Sequence, residues 1–401
     1  NIKKTVRFVS QQQLTVTSMV ENRILHDVPS SRTLKKAIIC GMVISSGLIL
    51  SVNHHTIYRF HELVSDYRFL IEARIKKFRH VQRRVKSVTK ADKELKMVWQ
   101  VSYPFTGSEV GMGILQDYTG FSIGTNYGDM MDTNRGIVTR TYNSIPIYPN
   151  RPNGPFKNRL EKPLPESGNV LVRTHCSGFC IDFGRDDCMF KHYVIPLTNL
   201  NYFFKSCASG KRLMPGKRIA PVQYDQWLAE KVMVLIRDPV DIVRARFLND
   251  MKLNPNSYQV NRKGVQAWCA KYDDRQGSKN LKHYYNPETT KLLATDGDNV
   301  ICKAELWRIA RFYNQVFKVA KFLDDDILPV YFEDYGTDAE GTIAEMMDFL
   351  NYEQTETVDH DPFHQSGDDY SYFTKRQRVT MMEFIQSEAS AETKEMFQRY
   401  F

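Results

Sequence analysis

The sequence predicts an α/β protein, a P-loop-like parallel sheet flanked by helices, and two observations carry that expectation. Four short runs of mainly branched or aromatic residues recur along the chain: MVWQVSY at 97–103, NVLVRTH at 169–175, KVMVLIR at 231–237 and ILPVYFEDY at 327–335. Continuous apolar runs of this length suit strands buried on both faces of a parallel sheet. Helical periodicity separates the runs, at Val240–Leu248 after the third, Ala304–Phe322 before the fourth and Thr342–Leu350 behind it. Such alternation calls for crossover helices, and it places any ligand at the carboxyl ends of the strands.

In chain order, residues 1–36 are polar and basic, with seven Lys or Arg against two acids, and read as a cytosolic tail. Residues 37–52, AIICGMVISSGLILSV, are an uncharged run behind Arg32, Lys35 and Lys36, and read as a transmembrane anchor. The same run also fits a buried core helix or a signal-peptide hydrophobic region. The run is short for a span, which suits the thinner bilayers of the early secretory pathway. Its basic flank faces the cytosol, so the rest of a type II protein lies in the lumen. Residues 53–96 read as a helical stalk, with Leu63, Phe69, Leu70, Ile75, Phe78, Val81 and Val85 recurring at helical spacings among basic residues. Residues 97–401 hold the α/β pattern as one domain, and the Pro- and Gly-rich stretch from Ser144 to Gly168 is a long loop inside it.

The formal charge of +9 points to a polyanionic partner, which charge alone does not name. Much of the excess lies in the tail and between Arg68 and Lys96, which argues against a nucleic-acid domain. Beyond Cys40 in the proposed span there remain Cys176, Cys180, Cys188, Cys207, Cys269 and Cys302. An even number in an oxidising lumen fits three disulfides, whose pairing the sequence does not fix. A metal site from Cys176, Cys180 and Cys188 lacks the CxxC spacing and the His pair that zinc would need.

Three strand ends carry chemistry. In YPFTGSEVG, Tyr103–Gly111, a strand turns through Pro104, Gly107 and Ser108 into a helix, an arrangement whose backbone amides face an anion. It is no Walker A motif, since no Lys reaches the phosphates. In LVRTHCSG, Leu171–Gly178, side-chain alternation puts Arg173 and His175 on one side. A guanidinium beside an imidazole suits transfer from an anionic donor to a hydroxyl, with Arg offsetting charge and His taking a proton. In VLIRDPVDIVRARF, Val234–Phe247, Arg237 closes a buried strand and Pro239 opens the next helix, so Arg237 either grips a phosphate or pairs with Asp238 or Asp241.

Taken in this order, the three motifs resemble those of the sulfotransferase superfamily that uses 3'-phosphoadenosine 5'-phosphosulfate (PAPS). The segment Tyr331, Phe332, Glu333 and Asp334 with its following helix is similar to that family's Tyr-Glu-Asp region, and the likeness covers roughly residues 97–351. TGFSIGTNYGD at 119–129 and the run at 174–178 resemble in particular the sulfotransferase domain of WSC-domain-containing proteins, without any WSC module. The resemblance implies a Golgi membrane enzyme of type II that transfers a sulfuryl group from PAPS to a hydroxyl of a glycan or glycoprotein, releasing 3'-phosphoadenosine 5'-phosphate (PAP), with no metal required. It implies Pro104, Thr106, Gly107, Ser108 and Glu109 around the 5'-phosphosulfate, Arg237 on the 3'-phosphate, His175 as base and Arg173 as the catalytic cation. Two positions depart from the family: Phe105 stands where many relatives have Lys or Arg, and Ala245 where many have Ser. These departures keep open a non-catalytic glycan-binding or scaffold protein on the same fold. A tyrosine or small-alcohol acceptor also fits a His base, whereas a nucleotide kinase is disfavoured by the missing Lys.

Overall fold

A computed structural model describes residues 96–121, 123–126, 130–132, 137–139, 145–146, 165, 169–176, 197–214, 218–275, 281–323, 326–353 and 372–401. The expected tail, anchor and stalk lie outside these residues, as do Cys180 and Cys188. No helix among the described residues is long and apolar enough to cross a membrane.

Among the described residues, six parallel strands form the main sheet: β1 (Lys96–Ser102), β2 (Gly124–Thr125), β5 (Ile145–Pro146), β6 (Asn169–Thr174), β9 (Ala229–Ile236) and β10 (Ile327–Tyr331). Their order across the sheet is β10-β9-β1-β6-β2-β5. After β1 the chain lays down β2 and β5 at the far edge, returns with β6 beside β1, and then builds β9 and β10 on the other side, so β1 sits at a switch point between the two halves. Crevices at such points, outside the carboxyl ends of the strands, are where open α/β sheets bind ligands. Two antiparallel hairpins lie apart from this sheet, β3 (Met130–Asp132) with β4 (Ile137–Thr139) and β7 (Ser209–Met214) with β8 (Arg218–Gln223).

Strand alternation sorts the core into two layers. Val98, Leu171, Met233, Leu235 and Val330 pack under α1 (Ser108–Thr119) and α8 (Ala339–Leu350), touching Met112, Leu115, Ile343 and Met346. On the opposite face, Trp99, Val101, Val172, Val232 and Val234 meet α2 (Leu200–Cys207), α3 (Pro239–Leu253), α4 (Arg262–Arg275), α6 (Lys303–Ala320) and α9 (Lys375–Glu388). Helix α5 (Pro287–Asp296) packs on α9, and α10 (Ala391–Phe397) on α6. Trp99, Trp307, Phe203 and Phe312 are fully buried there, and a large-to-Ala change at such sites costs roughly 3–5 kcal/mol. Disulfides Cys176–Cys207 and Cys269–Cys302 staple this second layer. Cross-linking a span of 33 residues, as Cys269–Cys302 does, is worth about 3–4 kcal/mol in chain entropy.

The structure corrects two sequence expectations. The fourth run does not stay extended to residue 335: β10 ends at Tyr331, and Asp334–Thr337 form a short helix, α7, from which Tyr335 is buried in the layer that holds Val98 and Val330. The stretch 144–168 is not loop throughout, since Ile145 and Pro146 pair with Gly124 and Thr125 as the edge strand, where a proline costs no inner ladder bond.

Candidate functional site

The loop after β1 is folded back on itself. The Thr106 amide donates to the Tyr103 carbonyl at 3.2 Å, and the Thr106 hydroxyl donates to the same oxygen. Phe105 adopts φ 69 and Gly107 φ 91. Positive φ is uncommon for a bulky residue, and where it occurs it gathers at functional sites. Gly107 has no alternative: a Cβ there would lie 2.1 Å from the Phe332 ring. Replacing Gly107 with Ala is expected to destabilise the chain by about 2–4 kcal/mol, from strain and overpacking together. The check is a denaturation midpoint that falls with unchanged slope; an unaltered midpoint would mean that Phe332 does not press on the loop.

Gly107 caps α1 without any side-chain hydrogen bond. The Val110 and Gly111 amides turn to the Gly107 carbonyl, while those of Gly107, Ser108 and Glu109 have no acceptor among the described residues. Bare amides at the head of a twelve-residue helix form an anion-binding end. The sequence placed Thr106 in this cradle; its amide is instead spent on closing the loop. Phe105 turns its ring toward the core and presents its carbonyl to the site.

Arg173 and His175 end β6 on the same side of the sheet as Ser102, as alternation requires. His175 is 6% exposed, and its Nδ1 lies 2.8 Å from the Ser102 carbonyl and 3.0 Å from the Ser102 hydroxyl. A carbonyl only accepts, so Nδ1 carries the proton and Nε2 is the basic nitrogen of the neutral ring. Burial, and then the charge of Arg173, depress the His175 pKa from 6.5 to about 3. Arg173, 2% exposed, donates from Nη1 to Glu109 Oε1 at 2.9 Å, across to the first turn of α1.

The strand end is fixed from the other side as well. Cys176, next to His175, takes φ 47 and is bonded to Cys207 at the end of α2. The Thr174 hydroxyl donates to the Cys207 carbonyl at 3.0 Å and accepts from Asn126 Nδ2 at 2.9 Å; Tyr224 in turn donates to Asn126 Oδ1 at 3.0 Å. Buried polar chains satisfied at every member rigidify what they hold.

The depressed pKa makes folding pH-dependent. Unfolded histidine binds a proton near pH 6.5 while the folded ring does not until about pH 3. Stability contributed by the neutral ring is therefore full above pH 6.5 and falls as pH drops toward 3, by about 1.4 kcal/mol per unit. NMR titration of the ring is expected to show no protonation at pH 5; a midpoint near 6.5 would refute the burial argument.

Arg237 extends from the end of β9. Its Cζ lies 4.4 Å from the centre of the Phe332 ring, and its Nη1 donates to the Phe105 carbonyl at 3.1 Å. A direct salt bridge from Arg237 to Asp238 or Asp241 does not form, because Arg378 of α9 engages both carboxylates, at 2.7 and 3.6 Å; with Glu333 they still act on Arg237 through space, raising its pKa against the larger effect of burial. Among the described residues no carboxylate pairs with Arg237, and its buried Nε has no partner. Burial accordingly lowers its pKa. A guanidinium stacked on an aromatic face and bonded along one edge is organised for an anion on the other.

Asp238 caps α3 by accepting from the Val240 amide at 2.7 Å, and its own amide donates to Glu333 Oε1 at 3.0 Å. Glu333 also accepts from the Tyr400 hydroxyl at 2.5 Å, so the chain's last residues brace the strand ends. Behind the loop, the Tyr103 hydroxyl donates to buried Glu305 at 3.0 Å, and Arg246 bonds the same oxygen at 2.5 Å. Burial raises the carboxyl's pKa, but Arg246 and Arg308 outweigh it and hold Glu305 ionised below its ordinary range.

The structure thus brings Gly107, Ser108, Glu109, Arg173, His175 and Arg237 to one end of the sheet. Ala245 lies half-buried on α3. Sequence reasoning missed Ser102 and Arg378, and took Phe332 only as part of the Tyr331–Asp334 segment, not as the ring under Arg237. Ser102 and Phe332 each adjoin a strand end already singled out, which is a signal that could have found them; Arg378 lies 140 residues from its partner Asp238 and left none. No group of three or more metal-ligating side chains occurs among the described residues.

No protein-family model matches the chain, and no curated protein matches it. Among solved structures, it is similar to a sulfotransferase from Alicyclobacillus acidocaldarius at 11% identity, over 75% of this chain and 95% of that one, with a TM-score of 0.37.

Proposed function

We propose that this protein is a PAPS-dependent sulfotransferase acting on a hydroxyl of a glycan or glycoprotein. The observation that carries this reading is the juxtaposition of two anion-ready groups, the head of α1 and an Arg237 with no salt bridge among the described residues, with a neutral imidazole held by Ser102. The first suits the donor's 5'-phosphosulfate and the second its 3'-phosphate. The orphaned Nε of Arg237 and the close-packed Gly107 are the features that fit such a donor.

PAPS supplies an activated sulfuryl group with PAP as its leaving part. For that chemistry the Gly107 and Ser108 amides and the Ser108 hydroxyl bind the 5' end, with Pro104 and the Thr106 turn setting the loop. Glu109 lends its amide, and its carboxylate, which lies on Arg173 in the structure, yields that place to the donor. His175 Nε2 takes the acceptor hydroxyl's proton, and Ser102 holds the ring in the tautomer that this requires. Arg173 offsets negative charge on the departing oxygen. An anion beside Arg173 also cancels one of the two causes of the depressed His175 pKa, so donor binding raises the basicity of the ring.

The proposed cellular setting is the Golgi lumen, with residues 37–52 as the type II anchor; the run's hydropathy and its basic flank support it. The two disulfides suit an oxidising compartment. A non-catalytic protein on this fold is the second reading, favoured by Phe105, whose ring supplies no cation to the loop. Incubation of the full chain with radiolabelled PAPS and a panel of glycans, glycoproteins, tyrosine peptides and small alcohols separates the readings. Label is expected in a glycan or glycoprotein. PAP binding without transfer to any acceptor would favour the second reading, and label confined to tyrosine or a small alcohol would replace the acceptor class.

A further inference from the structure

Gln100 lies in the middle of β1, fully buried, and neither its Nε2 nor its Oε1 has a hydrogen-bond partner among the described residues. A buried amide with both ends unpaired destabilises a fold, and native chains seldom keep one without a use for it. Val98, Leu171 and Met233 share its face of the sheet under α1, and so does Ser102. Arg173 is the Cα partner of Gln100 across the β1–β6 ladder. Parallel neighbours in register project the same way, so the amide and the guanidinium stem lie side by side, one step below Ser102 and His175.

We propose that Gln100 is a positioning residue for Arg173, bracing the guanidinium from beneath when an anion takes the place of the Glu109 carboxylate at the head of α1. This rests on the proposed donor site. Glu109 now stands where that anion would bind, with its carboxylate on Arg173 at 2.9 Å, and two negative groups at one helix end repel. Once Glu109 gives way, the Gln100 carbonyl oxygen accepts from an inward N–H of Arg173, and the remaining edge of the fork addresses the donor. The Gln100 amide, without a partner among the described residues, is the acceptor held ready for that arrangement.

The test replaces Gln100 with Met, which is close in length and volume, and reads stability and PAP affinity together in the full chain. Gln100→Met is expected to raise the unfolding midpoint by about 2 °C, since an orphaned amide is lost, and to weaken PAP binding about tenfold. A purely structural glutamine would move both in the same direction. In a double-mutant cycle with Arg173→Lys, the losses in PAP affinity are expected to be non-additive. A lowered midpoint, unchanged PAP affinity or additive losses would each overturn the proposal while leaving the donor site intact. If the unmodified chain binds no PAP, the donor site itself fails, and the proposal falls with it.

Discussion

Replacing His175 with Ala is expected to lower sulfate transfer by roughly 10²–10⁴-fold, the usual contribution of a positioned general base, with little change in PAP affinity. The split follows from the geometry. His175 is held through Nδ1 by Ser102, and nothing in the cradle of Gly107, Ser108 and Arg237 depends on its Nε2. Since Ala also deletes a buried ring, His175→Asn is the sharper variant. The Asn amide can still donate to the Ser102 carbonyl, but it carries no basic nitrogen. It is expected to regain stability relative to Ala and to transfer no faster. Transfer by His175→Asn at the original rate, in a single-turnover assay with PAPS, would remove His175 from the chemistry.

The second large effect is expected at Arg237. Charge-assisted hydrogen bonds of a buried group contribute about 1.5–3 kcal/mol each, so Arg237→Ala should weaken PAP binding by roughly 10–100-fold. Lys should recover little of this. An ammonium cannot stack at 4.4 Å on Phe332, donate to the Phe105 carbonyl and still present a fork to a phosphate. The comparison with Arg378→Ala sets the scale for indirect effects. Loss of Arg378 strips Asp238 of its ion pair and leaves Asp241 only its 3.9 Å contact with Arg244, so both carboxylates weigh more on Arg237. It should therefore weaken PAP binding through electrostatics, more at low salt than at high. Equal PAP affinity in Arg237→Ala and the parent chain, measured by calorimetry, would show that the 3'-phosphate has no home here.

These variants also show what the sequence made legible. The four buried strands stand out because burial on both faces leaves continuous apolar runs, and β1, β6, β9 and β10 fall within a residue or two of those runs at their starts. The two-residue strands β2 and β5 have no such signature: Gly124, Thr125, Ile145 and Pro146 join the sheet through tertiary pairing alone. The Glu-Asp-Tyr end of the fourth run was read as extended because its aromatic residues look like strand, whereas Tyr335 is buried from a helical turn.

Within the site, Arg173, His175 and Arg237 were readable from alternation and from their place at strand ends. What neutralises or leaves bare each cation was not, because the partners come from distant elements. Arg378 reaches Asp238 from α9, Glu109 reaches Arg173 from α1, and Phe332 slides under Arg237 from the end of β10. Those three contacts decide which arginine is free to meet an anion.

The most direct measurement of the central claim is a calorimetric titration of the full chain with PAP and, separately, with ATP. Saturable binding of PAP, with ATP weak or silent, is the result expected of a site that combines a helix-end cradle with Arg237 and lacks a phosphate-loop lysine. ATP binding as tight as PAP, or a folded chain that binds neither, would contradict the assignment of this end of the sheet to a sulfuryl donor.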